Sequence, residues 1–183
     1  MTDPASPSVK IRMLKKTDDR SRFCCGNIEL DRFFQRFAGQ NQFRHYIGTS
    51  YVASIDDQIA GFVTVSSGEI TADELRKSTK KRLPNYPLPI LRISRLAVDL
   101  KFQGLGLGKQ LLKTAFKLAL EMKCSYGCVG IVVDAKTEVV KYYQSLGFIP
   151  LEMVAGQLGD RPEPVTMFLS ISVLSKSVSA KPE

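Results

Sequence analysis

The residues with the clearest chemical meaning lie at 96–109, where an apolar, strand-like run gives way to a long helical pattern. Gln103, Gly106 and Gly108 follow the spacing Gln-x-x-Gly-x-Gly, and a further glycine stands at position 104. Glycines let a backbone come close to a ligand, and the free N–H groups of a first helical turn attract anions. The segment therefore suits a pyrophosphate. It is neither Gly-x-Gly-x-x-Gly nor a Walker A loop, because its glycine register differs and Gly-Lys-Ser/Thr is missing.

Two further elements accompany this loop. Arg95-Leu96-Ala97-Val98 precedes it, and Tyr142-Tyr143-Gln144-Ser145-Leu146-Gly147-Phe148 follows it. The loop, the strand and the aromatic element together resemble the acyl-CoA site of the GNAT N-acetyltransferases. The resemblance implies that acetyl-CoA is the co-substrate, with its pyrophosphate on the loop and its pantetheine arm along the strand.

Two segments in the N-terminal half of the chain narrow the resemblance to one subgroup of this family. Phe23-Cys24-Cys25-Gly26-Asn27-Ile28-Glu29-Leu30-Asp31-Arg32-Phe33-Phe34 and Gly61-Phe62-Val63-Thr64-Val65-Ser66-Ser67-Gly68 are similar to the GNAT toxins of bacterial toxin–antitoxin modules. Those enzymes acetylate the α-amino group of aminoacyl-tRNA and are neutralised by a ribbon-helix-helix antitoxin, and many are homodimers. The resemblance spans residues 10–172. It implies the same activity, antitoxin partner and homodimer for this chain.

The resemblance also implies roles for individual residues. It places the acetyl-CoA contacts at Leu96, Ala97, Val98, Gln103, Gly104, Leu105, Gly106, Leu107, Gly108 and Lys109. A strand N–H near Val98 is suited to stabilising an oxyanion, and a tyrosine hydroxyl is suited to protonating a leaving thiolate. The resemblance assigns the second role to Tyr143 and leaves Tyr142 as a packing residue. Leu105 and Leu107 stand where the toxins usually carry Arg or Lys, a departure that weakens phosphate binding.

The charge of the chain favours an anionic partner, since 26 Lys and Arg against 18 Asp and Glu give a net charge of +8. If the substrate is a charged tRNA, the candidate phosphate contacts are Arg32, Arg36, Arg76, Lys77, Lys80, Lys81, Arg82, Arg92 and Arg95. Lys109, Lys113 and Lys117 recur at helical spacing and are interpreted as a solvated face. The alternative is that they meet the 3′-phosphate of CoA or an acidic segment of the antitoxin.

Other chemistries are disfavoured by the residue inventory. His45 is the single histidine, so a His-rich metal site is excluded and we expect no metal. The cysteines fall as Cys24-Cys25 and as Cys124 with Cys128, neither in the Cys-x2-Cys spacing of a zinc or redox motif. We find no run of 18 apolar residues and no signal-peptide core. We therefore expect a cytoplasmic protein that is not in a membrane.

The elements that must position these residues alternate between helix and strand. We predict a helix capped by Asn27, a hairpin over 49–55 and 58–66, a short helix and Pro-rich loop at 71–89, a strand over 90–98, a helix over 107–122, a strand over 128–133, a short helix from Thr137 to Leu146, and strands over 148–153 and 165–173. The fold class is α/β (α+β), one domain over 10–173 with a mixed, mostly antiparallel sheet and a central strand-helix-strand acetyl-CoA site. Residues 1–9 and 174–183 are expected to be flexible.

Two alternatives to the toxin remain open at this point. In the first, the chain is an N-acetyltransferase of a small amine or of a protein N-terminus. In the second, it is a non-catalytic binding member of the family. An α-amino group, with a reference pKa of about 7.7–8.0 against about 10.4 for lysine, is partly neutral near pH 7. This favours an α-amine over a lysine side chain, because no general base is evident in the sequence.

Overall fold

The computed structural model describes residues 8–75, 84–151 and 164–179. The predicted basic residues Arg76, Lys77, Lys80, Lys81 and Arg82 lie outside this part of the chain. The strands are β1 (Lys10–Met13), β2 (Thr49–Ile55), β3 (Gln58–Ile70), β4 (Leu88–Val98), β5 (Gly130–Ala135), β6 (Ile149–Pro150) and β7 (Val165–Ser170). They form one sheet in the order β1-β2-β3-β4-β5-β7-β6. Strands β4 and β5 are parallel, whereas β1/β2, β2/β3, β5/β7 and β6/β7 are antiparallel, so the predicted mixed sheet is confirmed.

The helices include a segment that alternates between two hydrogen-bonding patterns. Helix α1 (Ile28–Arg32) continues through a π-helical turn (Phe33–Phe37) into α2 (Ala38–Gln40) and a second π-helical turn (Asn41–His45). The other helices are α3 (Leu107–Ser125), α4 (Val140–Ser145) and α5 (Ile171–Ser179), and short 3-10 turns cover Ala72–Glu74, Leu100–Phe102 and Thr137–Val139. No helix within the described ranges is both long and apolar enough to cross a membrane.

The described chain divides into two compact units, of which the first comprises residues 8–66 and 94–115. Its core is aromatic. Phe34 stacks on Phe62 with ring centroids 4.1 Å apart, and Phe23 meets both rings edge-on. Offset and edge-on aromatic pairs add to the stabilisation that burial alone provides. Phe33 and Phe34 belong to the helical segment 28–45, the α1 segment, so this core packs that segment against Val52 and Phe62 of the unit's strands.

The helix predicted after Asn27 is interrupted by the π-helical turn at Phe33–Phe37. Asn27 caps α1 as predicted, its Oδ1 accepting the N–H of Leu30 at 3.1 Å. Within the π turn the Ala38 N–H bonds to the carbonyl of Phe33, five residues earlier. The guanidinium of Arg20 donates to the Phe34 carbonyl at 3.1 Å, which satisfies an oxygen inside the irregular turn.

The second unit comprises residues 67–75, 84–93, 116–151 and 164–179 of the described chain. Its core includes Ile90, Val132 and Phe168, all at most 1% exposed. Gly130 lies where β5 passes β7, and any side chain there would collide with the Leu169 carbonyl and the Phe168 ring. A glycine at this position is therefore required for the strands to approach each other.

The structure corrects the predicted end of the chain. The last strand ends at Ser170 rather than at residue 173, and α5 follows it directly, so residues 174–179 of the expected tail are helical. The Ser170 hydroxyl accepts the N–H of Ser172 at 3.3 Å, as a residue at a helix start does. The strand predicted at 148–153 is only the two-residue β6 among the described residues, and β1 was not predicted.

Candidate functional site

The predicted phosphate loop leaves the sheet at the end of β4, as expected. Gly61 of β3 lies close to this strand, since a Cβ there would stand 3.0 Å from the carbonyl oxygen of Ala97. The Asp99 N–H donates to the Ala60 carbonyl at 2.9 Å, after which the chain turns away through Leu100–Phe102. Leu96, Ala97 and Val98 are therefore the last residues of a strand that leads directly into the loop.

The loop itself is open. Gly104 and Gly106 have φ angles of +82° and +74°, which L side chains rarely adopt. A Cβ added at either glycine would have no heavy atom within 4 Å. Leu105 between them is 56% exposed. The backbone of Gly104–Gly106 is therefore open to the approach of a ligand, and its contact with acetyl-CoA stays a prediction.

Helix α3 begins where the loop ends. Leu107 is 1% exposed and packs with Ile55 and Ala60, which fixes the start of the helix. The first intrahelical bond runs from the Gln110 N–H to the Gly106 carbonyl, so the N–H groups of Leu107, Gly108 and Lys109 have no acceptor within the helix. Such a cluster of N–H groups favours an anion.

The Gln103 side chain makes hydrogen bonds that its motif does not predict. Its side-chain amide donates to the carbonyls of Val98 at 3.1 Å and Cys25 at 3.4 Å. Sequence reasoning predicted contact with the cofactor, whereas the described side chain holds the loop to neighbouring backbone. Asp99, whose side chain accepts the N–H groups of Cys24 and Lys101 beside this loop, was not among the predicted site residues. Its position before a short turn was the one local signal, because an Asp side chain often caps such a turn.

The tyrosine pair lies in the second unit, on α4. Tyr143 is 6% exposed and its ring meets Phe148 edge-on at 5.3 Å, whereas Tyr142 is 42% exposed. The sequence interpretation made Tyr142 the packing member of the pair, but Tyr143 is the buried one. Burial raises the pKa of Tyr143 to about 12, with a smaller effect from Tyr142. The hydroxyl therefore keeps its proton across the neutral range.

The predicted arginines have different environments. The Arg95 guanidinium lies 3.9 Å from the centroid of the Phe33 ring, and burial lowers its pKa. Arg92 instead pairs with Asp134 at 2.8 Å, an oxygen-to-nitrogen contact that already occupies part of its guanidinium. Arg32 and Arg36 are exposed and line, with Ile28, Asp31 and Gln35, a shallow cleft of about 310 Å³ on the α1 segment.

Lys109, Lys113 and Lys117 are exposed along α3, which agrees with the solvated-face interpretation. Within the first unit the structure thus brings together the β4 end, the glycine loop and the start of α3. It also places Arg95 against Phe33, next in sequence to Arg32.

Comparison with known proteins identifies the class to which this site belongs. Residues 47–150, more than half of the chain, match the acetyltransferase (GNAT) domain model. The chain belongs to the GNAT acetyltransferase family, and the resemblance of its loop and aromatic motifs to that family is confirmed.

More particular similarities lie within that family. The tRNA-acetylating toxin of Mycobacterium tuberculosis is 32% identical over 126 residues, which are 68% of this chain and 74% of that protein. The solved structure of AtaT complexed with acetyl-methionyl-tRNAfMet superposes with a TM-score of 0.80 at 25% identity, covering 93% of this chain and 99% of that one. A structure of a Tyr-to-Phe AtaT mutant toxin bound to the C-terminus of the antitoxin AtaR and acetyl-CoA shares the fold, with a TM-score of 0.73 at 23% identity over 94% and 99% of the two chains.

Proposed function

We propose that this protein is an acetyl-CoA-dependent N-acetyltransferase toxin that acetylates the α-amino group of aminoacyl-tRNA and thereby blocks translation. The observation that carries the proposal is the open Gly104–Gly106 loop between the end of β4 and the start of α3, in a chain of the acetyltransferase family. The choice of substrate is supported by the 32% identity to a tRNA-acetylating toxin.

The loop fits the pyrophosphate of acetyl-CoA. Its backbone is open, the N–H groups of Leu107, Gly108 and Lys109 have no intrahelical acceptor, and the helix dipole favours negative charge there. Leu96, Ala97 and Val98 bind the pantetheine arm through strand backbone, and Gln103, Gly104 and Leu105 complete the turn. Acetyl-CoA supplies an acetyl group activated as a thioester.

The chain contributes an acid and hydrogen-bond donors. The Tyr143 hydroxyl is protonated near neutral pH, as any tyrosine is, and burial raises its pKa further, to about 12. It gives its proton to the departing thiolate. A backbone N–H near Val98 stabilises negative charge on the reacting carbonyl oxygen. Because an α-amino group has a reference pKa of about 7.7–8.0, water suffices to carry away the amine proton near neutral pH.

The tRNA contacts follow from charge and exposure. Arg32 and Arg36 lie exposed on the α1 segment and contact backbone phosphates, and Arg95 adds a guanidinium preoriented by Phe33. Arg92 makes a weaker contribution, because Asp134 occupies its guanidinium. The basic run over 76–82 is included on sequence grounds alone.

The assembly proposed here is a homodimer that a ribbon-helix-helix antitoxin neutralises in the cytoplasm, where charged tRNA is found. The structure of AtaT with the C-terminus of AtaR supports an antitoxin partner for this fold. We expect a small neighbouring reading frame of ribbon-helix-helix type.

A reconstituted translation system that contains no acetyl-CoA tests the proposal. The purified protein is expected to leave translation unaffected until acetyl-CoA is added, and then to block it. Translation that continues at its full rate with both present would contradict the toxin function. A block that does not depend on acetyl-CoA would point instead to a non-catalytic binding member of the family.

A further inference from the structure

A buried carboxylate joins the phosphate loop to a turn far away in the sequence. Asp99 is 6% exposed, and its Oδ2 accepts the N–H of Cys24 at 3.0 Å across 75 residues of sequence. Its Oδ1 accepts the N–H of Lys101, also at 3.0 Å, inside the turn that opens the loop. One side chain therefore fixes both the direction of the loop and its attachment to the turn at Cys24–Gly26.

Further bonds join the same two segments. The Leu100 N–H donates to the Cys24 carbonyl at 2.9 Å, and the Gln103 amide donates to the Cys25 carbonyl at 3.4 Å. The turn is itself held in place, because the Cys25 N–H donates to Asp31 at 2.7 Å. Gly26, at a φ of +86°, allows the chain to pass against the Leu100 side chain.

The middle of the loop has little other support. Gly104 and Gly106 have open space where a side chain would lie, and Leu105 is more than half exposed. The path of the loop is consequently set at its two ends, by Leu107 in the core and by the network around Asp99. The directions in which the loop N–H groups point depend on both ends.

We propose that Asp99 is a positioning residue for acetyl-CoA, which preorganises the 103–109 loop for the pyrophosphate by fixing it to the Cys24–Gly26 turn. The proposal rests on the proposed acetyl-CoA site. Because preorganisation lowers the entropic cost of binding, its loss appears in the affinity for the cofactor and leaves the rate of the chemical step unchanged. Neither Asp99 nor the Cys24–Gly26 turn needs to contact the acetyl group.

The substitution D99N tests this with little change of shape. The amide can accept one of the two backbone N–H groups but presents its own N–H₂ to the other. We expect the Kd of acetyl-CoA, measured by calorimetry, to rise about tenfold, equivalent to about 1.4 kcal/mol. The KM for acetyl-CoA should rise with it, while kcat stays within about twofold of the wild-type value.

The matched control is D18N. Asp18 lies in the same unit and also accepts a backbone N–H, that of Lys15 at 2.8 Å, besides pairing with Arg12. D18N is expected to lower the stability of the fold and to bind acetyl-CoA as the wild type does. A general effect of removing a turn-holding carboxylate would instead weaken binding in both variants, and would overturn the proposal.

If D99N does not fold, Q103A provides a second route, because it removes the bonds of the loop to Cys25 and Val98 and leaves Asp99 intact. We expect a rise in Kd of about threefold, and non-additivity with D99N where both fold. Unchanged affinity in a folded D99N, or in Q103A where D99N is unfolded, contradicts the role of the network. If the wild type itself fails to bind acetyl-CoA, the proposed function falls and this inference falls with it.

Discussion

We propose a proton-transfer role for one described side chain, that of Tyr143. Removing its hydroxyl oxygen tests that role. Its ring packs against Phe148 and the hydroxyl is the only atom that Y143F deletes. General acids contribute roughly 10²–10⁴-fold to rates, so kcat is expected to fall at least about 100-fold with little change in KM. Initial-rate assays with labelled acetyl-CoA measure both parameters.

The matched control is Y142F, at the exposed neighbour of Tyr143. We expect Y142F to retain activity within a few-fold of wild type. A Y143F enzyme with normal kcat, or equal losses in the two variants, would remove Tyr143 from its proposed role.

Tyr143 also makes the stability of the fold depend on pH in the alkaline range. Burial raises the pKa of Tyr143 from 10.0 to about 12, so between these values the unfolded chain loses the proton while the folded chain keeps it. The free energy of unfolding therefore falls as pH rises through this window. At pH 11 the loss from Tyr143 is about 1.4 kcal/mol, and Y143F should lack it.

Urea unfolding at pH 8 and pH 11 checks this expectation. Cys25, with a pKa raised to about 11 mainly by burial, adds a decline in the same direction to both proteins and so cancels in the comparison. Equal losses of stability in the wild type and Y143F would show that Tyr143 titrates normally in the folded state.

At the scale of elements, the glycine in the loop and the glycine at the start of α3 differ in backbone conformation. Gly106 has a φ of +74°, whereas Gly108 lies inside α3 with ordinary helical φ and has only Val98 near its Cβ position, at 3.9 Å. G106A should therefore destabilise the fold by about 1 kcal/mol through backbone strain. G108A should stabilise it by about 0.5–1 kcal/mol, because alanine favours the helix.

Chemical denaturation of the two variants gives the sign of each change. Opposite signs are the expected result. A G106A variant as stable as the wild type, or more stable, would mean that the loop does not hold Gly106 in the left-handed conformation.

Elements whose signal is local could be predicted from the sequence. The hairpin of β2 and β3 follows from two segments rich in β-branched and aromatic residues that are joined through Asp56-Asp57. Helix α3 buries Leu111, Ala115 and Ala119 as its helical spacing requires. The glycine loop could be recognised because its glycines directly determine its backbone. The family follows from these same elements.

Features that depend on distant partners could not be predicted. The π-helical turn at Phe33–Phe37 is supported by Arg20. The apolar residues of this segment recur at i, i+3, i+4 and i+7, a spacing that is equally compatible with an uninterrupted α-helix, namely Leu30, Phe33, Phe34 and Phe37. The pairing of Asp99 with Cys24 joins segments whose proximity only the fold creates. The end of β7 was misplaced because Val165–Val173 is apolar enough for strand or helix, and Ser170 decides between them.

For the whole molecule the dominant property is a net charge of +8. If tRNA phosphates meet Arg32, Arg36 and Arg95, counterion release makes binding salt-dependent. We expect the affinity for charged tRNA to fall at least about tenfold between 50 and 200 mM salt, whether measured by filter binding or anisotropy.

A double substitution R32Q and R36Q should reduce the slope of log affinity against log salt by about 1–2. Acetyl-CoA binding by the same variant should be unaffected, which controls for folding. Affinity for tRNA that does not change with salt would contradict a phosphate-based interface.

The central claim is that this chain transfers acetyl groups to the α-amine of aminoacyl-tRNA. The purified protein should be given labelled acetyl-CoA with bulk charged tRNA, discharged tRNA and polyamines in parallel. The account predicts label on charged tRNA, released with the amino acid on mild alkaline hydrolysis of the ester, and none on discharged tRNA. Label that appears only on polyamines would contradict it and would assign the protein to the small-amine acetyltransferases.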